Sequence, residues 1–146
     1  MVQIKKFRIK YFKKKKPIIE LKKISISFGE RKVLDEVSFS VNEGQIFGML
    51  GPNGVGKSTI FNIITGLVKP DHGKVIINEN DVSNLPISFR TSKHGIGYCP
   101  QYSGYFSDLT LHQNLVAVGE ILIKDEKIRI SKINEIISEF ELDSVI

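Results

Sequence analysis

Gly51-Pro52-Asn53-Gly54-Val55-Gly56-Lys57-Ser58-Thr59 is the stretch on which the reading of this chain turns. It fits the pattern G-x-x-x-x-G-K-[ST], which a chain of 146 residues and average composition matches by accident on the order of once in a few hundred sequences. Just ahead of it, Gln45-Ile46-Phe47-Gly48-Met49-Leu50 is short and almost unbroken in apolarity, the pattern of a strand buried on both faces. After it, Ile60, Phe61, Ile63, Ile64 and Leu67 recur at helical spacing, predicting a helix over Lys57 to Gly66 with Gly66 as its stop. A polyphosphate brings several negative charges that need many donors at close range. Backbone N–H groups supply them where no Cβ blocks approach, hence Gly51, Gly54 and Gly56. The start of the following helix points unpaired N–H groups and a positive dipole end at the same anion. Lys57 adds a mobile cation toward the β- and γ-phosphates, and the Ser58 hydroxyl is placed to coordinate Mg²⁺. The stretch predicts binding of a nucleoside triphosphate together with Mg²⁺, against the alternative of a purely structural glycine turn.

Outward from this loop the chain alternates strand and helix patterns, which makes the class α/β. Ile18 to Phe28 is apolar and β-branched with near-alternation, a strand; Gly29-Glu30 is a turn; Val37 to Val41 is a second strand; Gly44 breaks the chain. Beyond the helix, Val68 to Gly73 is a turn cluster, Lys74 to Asn78 a strand, and a polar stretch carrying Pro86 leads to Gly95–Cys99, read as a strand closed by Pro100. Thr110 and Gln113 form a capping box ahead of the apolar stretch that begins at Leu115. In the last segment, Asp125 to Leu142, Ile130, Ile133, Ile136, Ile137 and Phe140 share one helical face, as core packing requires. No internal repeat is present.

Composition sets outer bounds. With 41% hydrophobic and 25% charged residues the chain is globular rather than a disordered polyelectrolyte. Its longest apolar run, Leu115 to Ile123, is interrupted by Gly119 and Glu120 and is too short to span a bilayer, and the N-terminus lacks the apolar core of a secretory signal. The single cysteine, Cys99, excludes an internal disulfide framework and points to a reducing compartment, where it reads as an inert core residue. The net charge of +5 hides an asymmetry: residues 1 to 23 hold ten Lys or Arg against Glu20 alone, whereas the remainder is mildly acidic. Residues 1–17 therefore read as a basic extension, solvated or in contact with an anionic membrane surface through residues 1–16, rather than as a nucleic-acid-binding domain. Phe7, Ile9, Tyr11 and Phe12 leave open some packing of that extension. His72, His94 and His112 show no metal-ligand spacing.

At this point the sequence resembles the ATP-binding-cassette (ABC) ATPases. The form GPNGVGKST is typical of them, and three further features agree in order and spacing. Phe28 matches the aromatic position that stacks on adenine, where most members carry Tyr; Phe keeps the π-face. Gly97-Tyr98-Cys99-Pro100-Gln101 matches the stretch ending in the Q-loop glutamine, and Asp108-Leu109-Thr110 to Asn114-Leu115 the entry into the helical subdomain. The resemblance implies an α/β P-loop NTPase of the ABC type, with an N-terminal antiparallel β-subdomain and the start of the helical subdomain over residues 18–146. It implies ATP and Mg²⁺ as ligands. The nucleotide site would comprise Phe28, Gly51, Pro52, Asn53, Gly54, Val55, Gly56, Lys57, Ser58, Thr59 and Gln101, with Ser58 and Gln101 toward the metal. It further implies a homodimer of ATPase subunits bound to transmembrane subunits on the inner face of the cytoplasmic membrane. FNIITGLVKPDHG, Arg90, GIGYCPQ and FSDLTLHQNL look most like the lipopolysaccharide-export branch; branched-chain amino-acid importers, which share FNxITGL, are the runner-up.

Other family motifs have no counterpart in these 146 residues. No LSGGQ-like signature occurs, and no run of four apolar residues precedes an acidic pair, as the Walker B motif and its catalytic glutamate require. Asp35-Glu36 and Asp125-Glu126 lack the apolar run. The expectation is the N-terminal part of a truncated ABC ATPase domain, without turnover of its own and with uncovered sheet edges. A stand-alone, non-hydrolysing ATP-binding module is the rival from another class. A GTPase is disfavoured because no N-K-x-D segment exists.

Overall fold

The computed structural model describes residues 3–5, 16–102 and 104–144. They form two compact units, residues 1–98 and 99–146. Phe7, Ile9, Tyr11, Phe12 and most of the basic run lie outside the described residues.

The first unit is built on a long hairpin. Strands β2 (Pro17–Phe28) and β3 (Arg31–Asn42) pair antiparallel around a turn in which Gly29 takes a left-handed φ of 59°. The second strand is longer than its apolar part, Val37 to Val41, because pairing with β2 carries it back through the exposed charges of Arg31, Lys32, Asp35 and Glu36. Midway the register slips between Leu21 and Ile24, where Lys23 and Glu36 both take positive φ. The bulged amides stay satisfied: Ser38 Oγ accepts from Lys23 N at 2.8 Å and Ser25 Oγ from Glu36 N at 2.9 Å. Strand β5 (His72–Ile77) adds to the other side of β2, and the two-residue β6 (Asn80–Asp81) follows, giving the order β3-β2-β5-β6.

Helix α1 (Lys57–Thr65) sets Ile60, Ile63 and Ile64 into one core with Leu21, Ile24, Ile26, Leu34, Phe39, Val75, Ile77 and Val82. Gly66 ends the helix at φ 86°, its amide donating to the carbonyls of Asn62 and Ile63, as the sequence predicts. The run before the phosphate loop departs from expectation. Strand β4 covers only Gly48–Leu50 and pairs antiparallel with β1 (Gln3–Lys5). It is not buried on both faces: Phe47 and Met49 pack on the core, whereas Ile46 is 77% exposed and Leu50 half-exposed. A continuous apolar run needs a layer on each side, and the described residues cover one.

The polar stretch around Pro86 contains a helix that periodicity did not announce, α2 (Ile87–His94). It reaches into the core through one charged residue. Arg90 is 1% exposed, with Nη1 donating to the carbonyls of Ile63 and Ile64 at 2.7 Å each and Nε to Leu85 O at 2.9 Å. A cation thus sits on the last turn of α1, where the helix dipole is negative and the carbonyls lack the donor four residues on that mid-helix carbonyls have. Burial pushes its pKa below the ordinary value. A Cβ at position 66 would stand 2.8 Å from Arg90 Nε, so Gly66 also makes room for the guanidinium. The expected strand Gly95–Cys99 does not form. Gly95 is instead the left-handed cap of α2 at φ 67°, and an apolar run becomes a strand only by pairing, which it lacks among the described residues. Cys99 is correspondingly exposed, not a core residue.

In the second unit, the capping box holds as expected: Thr110 Oγ1 accepts from Gln113 N, and Gln113 Oε1 from Thr110 N, opening α3 (Leu111–Leu122). Asn114 ties the preceding loop together, its Nδ2 donating to the carbonyls of Phe106, Leu109 and Thr110. Helix α4 (Glu126–Glu139) is capped by Asp125. Of its predicted apolar stripe, Ile133 and Ile137 are buried, while Ile130 and Phe140 are largely exposed. Among the described residues no helix is long and apolar enough to cross a membrane.

Replacing Arg90 with Ala removes donors from three carbonyls at short range and leaves a buried gap. The expected cost is about 3 kcal/mol or more, read as a shift of the urea unfolding midpoint; Arg90→Lys, which cannot fork across the same carbonyls, recovers less than half. A midpoint unchanged in Arg90→Ala would contradict this account of α1 and α2.

Candidate nucleotide-binding site

The loop leaves β4 at Leu50 and enters α1 at Lys57, and its glycines carry conformations that other residues adopt at a cost. Gly51, Gly54 and Gly56 have φ of 154°, 76° and 103°. Gly56 is the most constrained. It is buried, it is the N-cap of α1, and a Cβ there would stand 2.8 Å from Leu34 Cδ2 and 3.2 Å from Val33 Cγ1. The core under the loop therefore demands glycine independently of any ligand. At Gly51 a Cβ would press on Val55 Cγ1 at 3.1 Å, narrowing the loop itself.

No side chain caps the start of α1, and its first turn contains no acidic residue. Helix starts ordinarily satisfy those amides with Ser, Thr, Asp or Asn. Here Lys57 occupies the first helical position instead, and its Nζ donates to the carbonyls of Gly51 and Pro52 at 2.7 Å each. A cation is thus held over the loop beside uncapped amides, and an incoming anion meets both. Pro52, Asn53 and Gly54 are exposed, Val55 and Thr59 half-buried, and Ser58 exposed on the first turn of α1. The cradle and its donor set fit a phosphate chain. The Ser58 hydroxyl, exposed on the first turn of α1, would be available to Mg²⁺ bound with the phosphates. When bound, that ion neutralises phosphate charge.

Phe28 closes β2, and its ring is 53% exposed, so it is not a core residue. Its cross-strand partner is Arg31, whose Nη2 donates to Gly54 O at 3.2 Å. Arg31 is a contact that motif reading missed. The only sequence signal was a basic residue three positions after Phe28, unremarkable among so many charges on β3. Gln101 belongs to the second unit, exposed, with Nε2 donating to Tyr102 Oη at 3.1 Å. The structure thus joins the loop Gly51–Gly56 to Lys57, Ser58 and Thr59 on the first turn of α1, and ties the Phe28 hairpin to the loop through Arg31.

Gly56→Ala is expected to abolish the loop's anion-binding geometry, because neither the positive φ nor the contact with Leu34 can be kept. Phosphate protection of the loop against proteolysis should disappear. Retention of protection would mean that the loop does not need this conformation.

The ABC transporter family profile matches residues 34–145. Among curated proteins, the lipopolysaccharide export system ATP-binding protein LptB of Haemophilus influenzae is 42% identical over 130 residues, 88% of this chain and 53% of that protein. LptB of Escherichia coli is 39% identical over 125 residues, 84% of this chain and 51% of that protein. A probable ABC transporter ATP-binding protein of Azorhizobium caulinodans is 41% identical over 119 residues, 82% and 42% respectively. Among solved structures, a nucleotide-free ATP-binding cassette from an ABC transporter superposes with a TM-score of 0.72 at 31% identity, over 89% of this chain and 56% of that one. An ATP-binding cassette in its ADP conformation gives 0.64 at 36% identity, over 75% and 42%. The chain spans about half the length of the curated relatives it matches. With an uncapped, lysine-guarded phosphate loop between strand and helix, and this likeness over most of its length, the chain belongs to the ABC transporter ATP-binding family, with the P-loop fold of that family.

Proposed function

We propose that this chain binds Mg-ATP as part of an ATPase subunit that drives lipopolysaccharide export. Gly51 to Gly56 and the first amides of α1 would hold the phosphates, Lys57 would reach the β- and γ-phosphates, and Ser58 and Gln101 are the residues proposed toward Mg²⁺, whose other ligands would be phosphate oxygens and waters. Phe28 stacks on adenine, its exposed ring offering a π-face at the edge of the hairpin. The observation that carries this reading is the start of α1, a buried left-handed glycine cap with no side chain on the amides and a lysine already aimed at the loop. Identity near 40% to two LptB proteins supports lipopolysaccharide as the cargo. Transmembrane subunits and a second copy of the ATPase are the expected partners, at the inner face of the cytoplasmic membrane. The basic residues 1–16 are proposed to meet anionic lipid there.

Hydrolysis needs a signature motif from a facing subunit and a glutamate that orients water, and neither motif occurs in this sequence. The 146-residue chain alone is therefore expected to bind ATP without turning it over. In equilibrium dialysis Lys57→Ala should weaken ATP binding about 10- to 100-fold. Equal retention of ATP by the variant overturns the nucleotide reading, and phosphate release at family-like rates that vanishes in Lys57→Ala overturns the absence of turnover. Cargo is tested on the intact protein: it should restore lipopolysaccharide export in cells depleted of their own export ATPase. Restored branched-chain amino-acid uptake with no restored export would reassign the cargo.

A further inference from the structure

Arg31 lies outside the phosphate-loop motif, yet its guanidinium is the one long-range side-chain donor on that loop among the described residues. It begins β3 directly opposite Phe28, and its Nη2 donates to the carbonyl of Gly54, 23 residues further along the chain. A trans peptide unit is planar, with its C=O and N–H pointing in opposite directions. A donor that holds the Gly54 carbonyl on one side therefore holds the Val55 N–H on the other. Gly54 has a φ of 76°, so that peptide unit has more than one accessible orientation, and a single external donor is well placed to choose between them. A Cβ at position 54 would lie 3.9 Å from Nη2, an ordinary contact, so it is the positive φ and not room for Arg31 that favours glycine there.

We propose that Arg31 is a positioning residue for triphosphate binding, which fixes the Gly54–Val55 peptide so that the Val55 amide faces the anion before it arrives. Because Arg31 is paired with Phe28, the same contact sets the distance between the base platform and the phosphate cradle. This rests on the nucleotide reading given above. It adds to that reading a preorganising cation supplied by the β2–β3 hairpin, distinct from Lys57, whose Nζ meets different carbonyls at Gly51 and Pro52.

The test uses the intact protein and two probes, ATP and inorganic tripolyphosphate, each with Mg²⁺. Arg31→Ala should weaken both by about five- to tenfold, the worth of one charge-assisted hydrogen bond at an exposed site. Phe28→Ala should weaken ATP and leave tripolyphosphate within twofold, which separates the base platform from the cradle. Arg31→Lys, which keeps a long donor, should recover most of the loss for both probes. In the ligand-free protein the Val55 amide resonance should move in Arg31→Ala and return toward its original position in Arg31→Lys. That shift is the readout that a bulk charge effect would not give. Tripolyphosphate affinity unchanged in Arg31→Ala while Lys57→Ala abolishes it overturns the proposal and spares the nucleotide reading. A Val55 resonance unmoved in Arg31→Ala overturns positioning even if affinity falls. Indifference of both probes to Lys57→Ala overturns the nucleotide reading, and this proposal with it.

Discussion

The start of α1 carries no side-chain cap, and the rest of the first unit holds that helix in place. Backbone amides left without partners at a helix N-terminus are costly unless something else meets them, and here no side chain does. The protein can leave them open because the rest of α1 is held from below and behind. Ile60, Ile63 and Ile64 anchor its underside in the core, Leu34 and Val33 leave no room for a Cβ at Gly56, and Arg90 donates to carbonyls at its far end. A helix pinned on three sides can present a bare end to an anion without fraying.

The two ends of α1 are treated in opposite ways, and each treatment follows from the dipole. At the positive end the sequence offers no carboxylate and no capping hydroxyl, leaving the field open to a polyanion. At the negative end it places a guanidinium whose donors go to carbonyls rather than to an acid. A carboxylate partner would neutralise that guanidinium; with carbonyls alone, its positive charge remains to face the helix terminus. The cost of burying the cation is met by short hydrogen bonds and by the gap that Gly66 leaves beside it.

What could be read from the sequence, and what could not, divides along physical lines. The loop, α1, its stop at Gly66 and the capping box at Thr110 were legible because each depends on residues close in sequence, and β2 because its hairpin partner β3 follows directly after a two-residue turn. Features set by distant partners were not. Gly95–Cys99 has the composition of a strand and no strand to pair with among the described residues, and Gly95 serves α2 instead. Gln45–Leu50 reads as doubly buried, yet only Phe47 and Met49 find the core. Helix α2 escaped notice because its one buried side chain is an arginine, a residue that pattern reading assigns to the surface. The same blindness hid Arg31. Its significance lies in a carbonyl 23 residues away, whereas the motif itself, being contiguous, was plain.

The placement of Cys99 has a practical side. It is the single thiol of the 146 residues, it is exposed, and it lies two positions before Gln101. On these 146 residues one maleimide dye would therefore attach at one place, two positions from the glutamine proposed to reach the metal. Within these 146 residues the thiol is a ready handle for watching that segment in solution.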